Sequence, residues 1–530
     1  MKNKIYNDIL SGNTSLGIEL GSTRIKAVLL SSEYSSIAHS NFEWENKFEN
    51  GVWTYDLCDV WTGIRSCFSD LRKSILDEYG IELKKIGCIG ISAMMHGYLA
   101  FDENDELLVP FRTWRNTMTE CASRELSALF GLHIPQRYSI AHLYEAMLKK
   151  EEHLPKLRKL NTLAGYVHYM LSGEYVLGVG DASGMFPIDP VTKDYDSRML
   201  GLFDKKLFEY GLHIKTRDIL PKSKVAGEAA GFLTQRGVEL LDETLTLEAG
   251  IPLCPPEGDA GTGMVATNSI AERTGNISAG TSIFAMIVLE RPLAELHEEI
   301  DIVSTPAGKT VAMVHCNNCT SDINAWAQMI SDFCYKLGVS ISTGDVIGKI
   351  FSIAADGDPN CGGLLAYNYL SGEHITSLSE GRPMFIRTPN AEFTAENFSR
   401  TLLYSAVATL KLGMNTLTEK ENVKIDRLLG HGGFFKTPII GQQILANALK
   451  TPISVMEQAD EGGAYGMALL ASFLLDNENE LEAFLSSKIF GGAAVQSVYP
   501  EDIGTKGFEE YIKNYERALD TQRSATENIF

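Results

Sequence analysis

At 530 residues the chain is too long for one hydrophobic core, so two large domains are expected. Its composition is that of a globular protein, 44% hydrophobic and 22% charged, and 47 basic against 68 acidic side chains leave a formal charge of −21. Such a surface repels nucleic acid and anionic membrane, whose binding rests on clustered Lys and Arg, and leaves small ligands open.

The opening MKNKIYNDILSGNTS has no apolar signal-peptide core and reads as a short leader before the first strand. GIELGSTRIKAVLL, from Gly17 to Leu30, follows as strand, tight glycine turn and strand. A further strand spans Ile86 to Met94, and helices run through Glu120 to Phe130 and Ile140 to Lys150. Pro and Gly crowd IPLCPPEGDAGTG, marking a functional loop or a domain seam near residue 260. Strand and helix patterns alternate throughout, which predicts α/β layers. Nine scattered cysteines suit a reducing cytoplasm. Apolar runs stay short of the roughly 20 residues a bilayer span requires.

The chain also echoes itself. GIELGSTRIKAVLL aligns without gaps on NISAGTSIFAMIVLE, setting Gly21-Ser22-Thr23 on Gly280-Thr281-Ser282 and Val28-Leu29-Leu30 on Ile287-Val288-Leu289. Two domains with a common ancestral core are the reading this favours. A G-[ST]-[ST] tip suits phosphate, because glycine lets backbone N–H groups approach oxygens closely and the hydroxyls add donors. Either tip alone is better explained as an ordinary hairpin turn; the pair is the stronger signal.

Glu19 is a charge inside an apolar strand, either a hydrogen-bonded carboxylate or a ligand for Mg²⁺. Asp259 opens the Gly-rich run PPEGDAGTGMVATN, where it serves as a helix N-cap or as acceptor for the proton of an attacking hydroxyl. Gly261-Thr262-Gly263-Met264-Val265-Ala266 matches a dinucleotide fingerprint only weakly, since a proline-rich loop precedes it in place of a strand. Met95-His96-Gly97 ends a buried strand, and Trp114, Arg115 and Asn116 combine an apolar plate with polar heads, as a polyol site needs. GHGGFFKTPIIGQQILANAL and EQADEGGAYGMALLASFLL each put a glycine turn before a helix. Cys316 and Cys319 have C-x-x-C spacing without a second pair, so no zinc site is read there.

These motifs, in this order, resemble the FGGY carbohydrate kinases from about Gly17 to the C-terminal helix. The resemblance implies an α/β fold of two actin-like (ribonuclease-H-like) ATPase domains around a central cleft, one over 1–268 and one over 269–530. It assigns the first phosphate loop to Gly21, Ser22 and Thr23 with Lys26 beyond it, and the catalytic base to Asp259. Gly280, Thr281 and Ser282 become the second phosphate loop, and Gly432, Gly433 and Phe434 part of the adenosine site. Glu19 stands where the family usually has Asp and becomes the Mg²⁺ residue. Met95-His96-Gly97 and the Asp181-Ala182-Ser183 stretch are similar to the xylulokinases and join Trp114, Arg115 and Asn116 as sugar contacts. Arg115 is a departure, a cation where the pattern has a neutral amide.

The implied activity is ATP-dependent phosphorylation of a ketopentose, foremost D-xylulose, with L-ribulose, another ketose or gluconate as alternatives. A non-catalytic actin-like ATP-binding sugar sensor is the reading from a different class, and Asp259 speaks against it. ATP and Mg²⁺ are the implied cofactors, sugar and ATP the partners, and the cytoplasm the location. Whether two copies pair as a homodimer the sequence leaves open.

Overall fold

The computed structural model describes residues 2–456, 462–476, 478, 480–492 and 495–529. Residues 457–461, which open the last glycine-rich motif, lie outside the described residues. The chain divides into two compact units. The first runs to Ile270 and takes in Asp301–Val311 and the stretch carrying helix Gly462–Leu475. The second holds Ala271–Ile300, the span from Ala312 to strand Ile453–Met456, and the C-terminal stretch from strand Val495–Val498.

The first unit is built on strands β1 (Ser15–Leu20), β2 (Arg24–Leu30), β3 (Ser36–Glu43), β4 (Cys88–Ala93) and β5 (Glu257–Gly258), in the order β5-β4-β1-β2-β3. β1 and β2 pair antiparallel, whereas β4 lies parallel to both β1 and β5. β4 is buried along its whole length, as expected of a central strand covered on both faces. Ile18, Leu20, Ile25, Ala27 and Leu29 face helix α1 (Leu57–Tyr79). That helix starts where the Asp56 carboxylate accepts the Cys58 N–H at 2.8 Å, and it stops at Gly80, whose φ of 68° only glycine adopts freely.

Gly17 and Glu19 point to the other face, against the Gly462–Leu475 helix. A Cβ on Gly17 would stand 2.5 Å from the Ala468 nitrogen, so strand and helix meet backbone to backbone. GGAYGMALLASFLL is apolar all round, the composition of a helix enclosed on every side. The predicted leader is in fact a helix, Lys2–Ser11, because Ile9 finds a buried place and Asp8 accepts both the N–H and the hydroxyl of Ser32. These partners are distant in sequence, so no local pattern announces them.

The second unit contains β6 (Thr274–Ala279), β7 (Ile283–Val288), β8 (Thr310–Cys316, from Ala312 on), β9 (Arg427–His431), β10 (Ile453–Met456) and β11 (Val495–Val498). They are ordered β8-β7-β6-β9-β10-β11, which repeats the first unit's arrangement over its first five strands. The internal echo is thus a topological repeat, with one correction. Leu20 pairs with Ile25, but Ala279 pairs with Ile283, so the second tip is one residue shorter. The gap-free match therefore slips by one on the outgoing strand. Val28-Leu29-Leu30 corresponds to Met286-Ile287-Val288, the register that keeps the buried faces equivalent. Among the described residues, no helix is long and apolar enough to cross a membrane.

Gly17→Ala would force the β1 backbone off the Ala464–Ala468 stretch of helix. Overpacking of this kind costs about 1–3 kcal/mol, and the expected result is a fall in melting temperature measured by scanning calorimetry; an unchanged value would show that the contact yields.

Candidate active site

The tip of the first hairpin is anchored from behind by two aromatic residues. Trp44 Nε1 donates to the Gly21 carbonyl at 2.7 Å, the Tyr55 hydroxyl to that of Ser22 at 2.6 Å, and Trp44 N to that of Thr23 at 3.2 Å. Both rings are buried and stack with centroids 4.2 Å apart. In a trans peptide the C=O of one residue and the N–H of the next point in opposite directions. Holding the Gly21 and Ser22 carbonyls inward therefore turns the N–H groups of Ser22 and Thr23 outward, at an exposed tip. That is an anion-binding arrangement.

The second hairpin reaches the same result with other residues. Thr320 donates its N–H at 3.0 Å and its hydroxyl at 2.7 Å to the Gly280 carbonyl, and Cys319 N donates to that of Thr281 at 2.9 Å. Cys316 and Cys319 are buried, free thiols, and the segment between them leads into helix Ser321–Lys336. Nearby, Gly432 has a φ of 100°, and a Cβ there would stand 2.5 Å from the Ala279 carbonyl oxygen. Gly432 and Gly433 are exposed, but the Phe434 ring is fully buried, edge-on to Phe351 and Phe435. The ring belongs to the core, and only the glycines of that triplet face solvent.

Four carboxyl groups gather in the first unit. Asp259 is the first residue of helix Asp259–Ala266, which directly follows β5. Its Oδ1 accepts from Met95 N at 3.1 Å and from Ala260 N at 3.0 Å, tying it to the end of β4. The strand before this helix is only two residues long, which is why a proline-rich sequence can supply it. Burial raises the Asp259 pKa, and the two N–H donors temper the rise. Glu19 faces Gly463, and burial pushes its carboxyl up to about 7, with Lys26 opposing and the Asp259 charge adding to the rise.

Asp181 is fully buried, with Oδ2 accepting from Thr162 Oγ1 at 2.6 Å and Oδ1 unpartnered. Burial, with the Asp259 charge adding, lifts it to about 7. Glu257 accepts the N–H groups of Gly180 and Asp181 at 3.2 and 2.9 Å, and burial together with the Asp181 charge lifts it to about 8.

His96 is buried with a φ of 69°, stacked on Tyr138 at 5.0 Å, its Nδ1 3.3 Å from the Gly184 carbonyl. Burial and the nearby Arg137 hold its pKa down to about 3, so the ring is neutral. A neutral ring at this distance donates from Nδ1 and leaves Nε2 an acceptor. Met95 and Gly97 flank it, Met95 reaching Asp259 through its N–H and Gly97 lying against Phe111. Trp114, Arg115 and Asn116 are organised around Trp53 instead. The Arg115 guanidinium lies 3.8 Å over that ring, and Asn116 bonds the Trp53 N–H at 2.9 Å and carbonyl at 2.8 Å. Trp114 is 36% exposed. The structure thus brings Glu19, Met95, His96, Asp181 and Asp259 together, while the polar group of Asn116 is spent on the backbone.

Residues 14–265 match the N-terminal domain of the FGGY family of carbohydrate kinases, and residues 275–475 match its C-terminal domain. The chain belongs to the FGGY family of carbohydrate kinases. It is an ATP-dependent carbohydrate kinase with that family's two-domain fold. A xylulose kinase of Haemophilus influenzae is similar, 23% identical over 447 residues, covering 81% of this chain and 83% of that one. The crystal structure of xylulose kinase from Rhodospirillum rubrum superposes with a TM-score of 0.79 at 15% identity, covering 96% of this chain and 98% of that one. Gluconate kinase from Lactobacillus acidophilus gives 0.79 at 17% identity, with coverage of 96% and 98%.

Four residues of this FGGY kinase that shape the site carry no motif of their own: Trp44, Tyr55, Thr162 and Thr320. Glu257 did carry a signal, as an acid in an apolar, proline-rich run.

Glu19, Asp181 and Glu257 all have folded pKa values raised above those of the unfolded chain. The folded protein holds protons that the unfolded chain releases, so these groups cost stability progressively from about pH 4 to about pH 8. Glu257→Gln removes one of them. Without added metal, its melting temperature is expected to gain on the parent's as pH rises from 5 to 8; a flat difference would mean that Glu257 ionises normally.

Proposed function

We propose that this kinase transfers the γ-phosphoryl group of ATP to the terminal hydroxyl of a ketopentose, D-xylulose before others, giving D-xylulose 5-phosphate and ADP. The observation that supports this most is Asp259 held at the end of β4 beside the unpartnered Oδ1 of Asp181. Asp259 accepts the proton of the attacking hydroxyl and orients its oxygen for in-line displacement. Asp181 Oδ1 accepts a hydrogen bond from a second hydroxyl, and neutral His96 accepts another at Nε2. A substrate with several adjacent hydroxyls fits this set of acceptors. Trp114 as an apolar plate for the sugar, Arg115 as its cationic neighbour and Lys26 beyond the first phosphate loop keep the roles read from the sequence.

The Gly21-Ser22-Thr23 and Gly280-Thr281-Ser282 loops bind phosphate oxygens through outward N–H groups and hydroxyls, and Gly432 and Gly433 border the adenosine. In domain terms, 1–268 carries the sugar contacts, the first phosphate loop and the base, and 269–530 carries the second phosphate loop and the adenosine site. Glu19 is the residue that would hold Mg²⁺. Its carboxyl, lifted by burial and by Asp259, is a group that a divalent cation relieves, and Mg²⁺ accepts one or two carboxylates with water completing its shell. Bound there, the ion supplies charge neutralisation of the phosphates. Nine free cysteines support a cytoplasmic setting. Gluconate is the second reading, favoured by the likeness to a gluconate kinase structure.

Sugar-dependent ADP release with Mg²⁺ and ATP, over D-xylulose, L-ribulose, D-ribulose, glycerol and gluconate, tests the assignment. D-xylulose is expected to give the highest kcat/KM, and Asp259→Asn to lower kcat by about 10²–10⁴-fold, the usual range for a positioned base. A preference for gluconate would replace the substrate, and an Asp259→Asn enzyme of full activity would remove the base. Tyr55→Phe loses the bond to the Ser22 carbonyl. It is expected to raise the KM for ATP by about 5-fold, the effect of one hydrogen bond, with the sugar KM unchanged in initial-rate kinetics.

A further inference from the structure

Glu257 is a buried carboxyl that the chemistry above does not use. It leaves β5 toward the short helix Val179–Ala182, whose preceding residue, Gly178, has no side chain to cap it. The N–H groups of Gly180 and Asp181 would be buried without partners, and both bond to Glu257 instead. The fit is built for that carboxyl. A Cβ on Gly178 or on Gly180 would overlap its oxygens. The other side of the turn is also fastened, with Ser183 Oγ donating to the Gly180 carbonyl at 2.5 Å and accepting from Ser304 N at 2.9 Å.

Asp181 is therefore fixed at its backbone by Glu257 and at Oδ2 by Thr162, which leaves Oδ1 as its single free atom. That atom lies 3.2 Å from where a Cβ on Gly258 would stand, and Gly258 directly precedes Asp259. One two-residue strand, in register with Ser92 and Ala93, thus carries Glu257 toward the helix and delivers Asp259 to Met95.

We propose that Glu257 is a positioning residue for the sugar: by holding the Gly180 and Asp181 amides, it sets the free oxygen of Asp181 at a fixed place beside Asp259. The proposal rests on the reading of Asp181 and Asp259 as the sugar-facing pair. Its consequence is that Glu257 acts on sugar affinity through Asp181, and on neither ATP affinity nor the chemical step.

The test is a double-mutant cycle on the full-length enzyme with Glu257→Gln, Glu257→Ala, Asp181→Asn and the Asp181→Asn/Glu257→Ala pair. Initial rates use D-xylulose, or whichever sugar of the panel gives the highest kcat/KM. Glu257→Gln keeps the shape and one acceptor, and is expected to raise the sugar KM by about 5-fold; Glu257→Ala, which leaves two buried N–H groups unpaired, by about 30-fold. The ATP KM should not move, and kcat should stay within about 3-fold. In the Asp181→Asn background, Glu257→Ala should add less than about 2-fold, the sign of action through one residue. Amide exchange of residues 179–183, followed by mass spectrometry, should quicken in both Glu257 variants without any substrate.

If Asp181→Asn raises the sugar KM while both Glu257 variants leave it unchanged, the proposal fails and the sugar-facing pair stands. Full additivity in the double variant, or an equal rise in the ATP KM, would make Glu257 merely structural. A sugar KM untouched by Asp181→Asn would instead remove the pair itself. Should Glu257→Ala fail to fold, Glu257→Gln with the exchange measurement decides.

Discussion

A strand and a helix in direct backbone contact organise the first unit. Gly17 of β1 lies against Ala464 and Ala468, Gly463 makes room for the Glu19 carboxyl, and Gly466 leaves space for the Thr262 carbonyl. Close-packed interiors tolerate no extra methyl at such points. Because Thr262 belongs to the helix that begins at Asp259, the same contact that seats β1 also seats the proposed base. Fold and site share one constraint here. Replacing the small residues of Gly462–Leu475 would disturb Glu19, Asp259 and the hairpin together.

Electrostatics in this region are set first by burial and second by the crowding of like charges. Glu19, Asp181, Glu257 and Asp259 all have raised pKa values, and the charge of Asp259 or Asp181 adds to the rise in the first three. A cluster of this kind is costly unless each member is hydrogen-bonded or meets a cation. Backbone N–H groups answer for Glu257 and Asp259, that of Ala464 answers for part of Glu19, and Thr162 answers for half of Asp181. The remainder is what a sugar hydroxyl and a divalent cation are suited to take up. Perturbed carboxyls gathered around one helix start are the usual mark of a reaction site.

The two hairpin tips solve one problem twice. Each turns its carbonyls toward the protein so that the following N–H groups face outward, but Trp44 and Tyr55 do this in the first unit, and Cys319 and Thr320 in the second. The tips also differ by one residue in length, which a gap-free alignment cannot register. What recurs between the units is the sheet order and the direction of the N–H groups.

Much of this was legible in the residues. The G-[ST]-[ST] tips, the lone acid in the first strand, Asp259 at a glycine-rich helix start and the buried Met95-His96-Gly97 end were visible because each breaks a local pattern. Alternating strand and helix periods predicted the layers, and the helix over Glu120–Phe130 is observed with those bounds. These are short-range properties, set by backbone conformation and by periodicity along the chain. The partners of those residues depend on distant segments meeting. Trp53 occupies Asn116, Phe434 joins the core rather than solvent, Glu257 reaches Asp181, and the 462–475 helix returns to pack on residue 17. The sequence by itself singled out the candidate groups; only the tertiary structure decided which of them remain unpartnered, because burial and hydrogen-bond satisfaction belong to the folded surroundings of a residue.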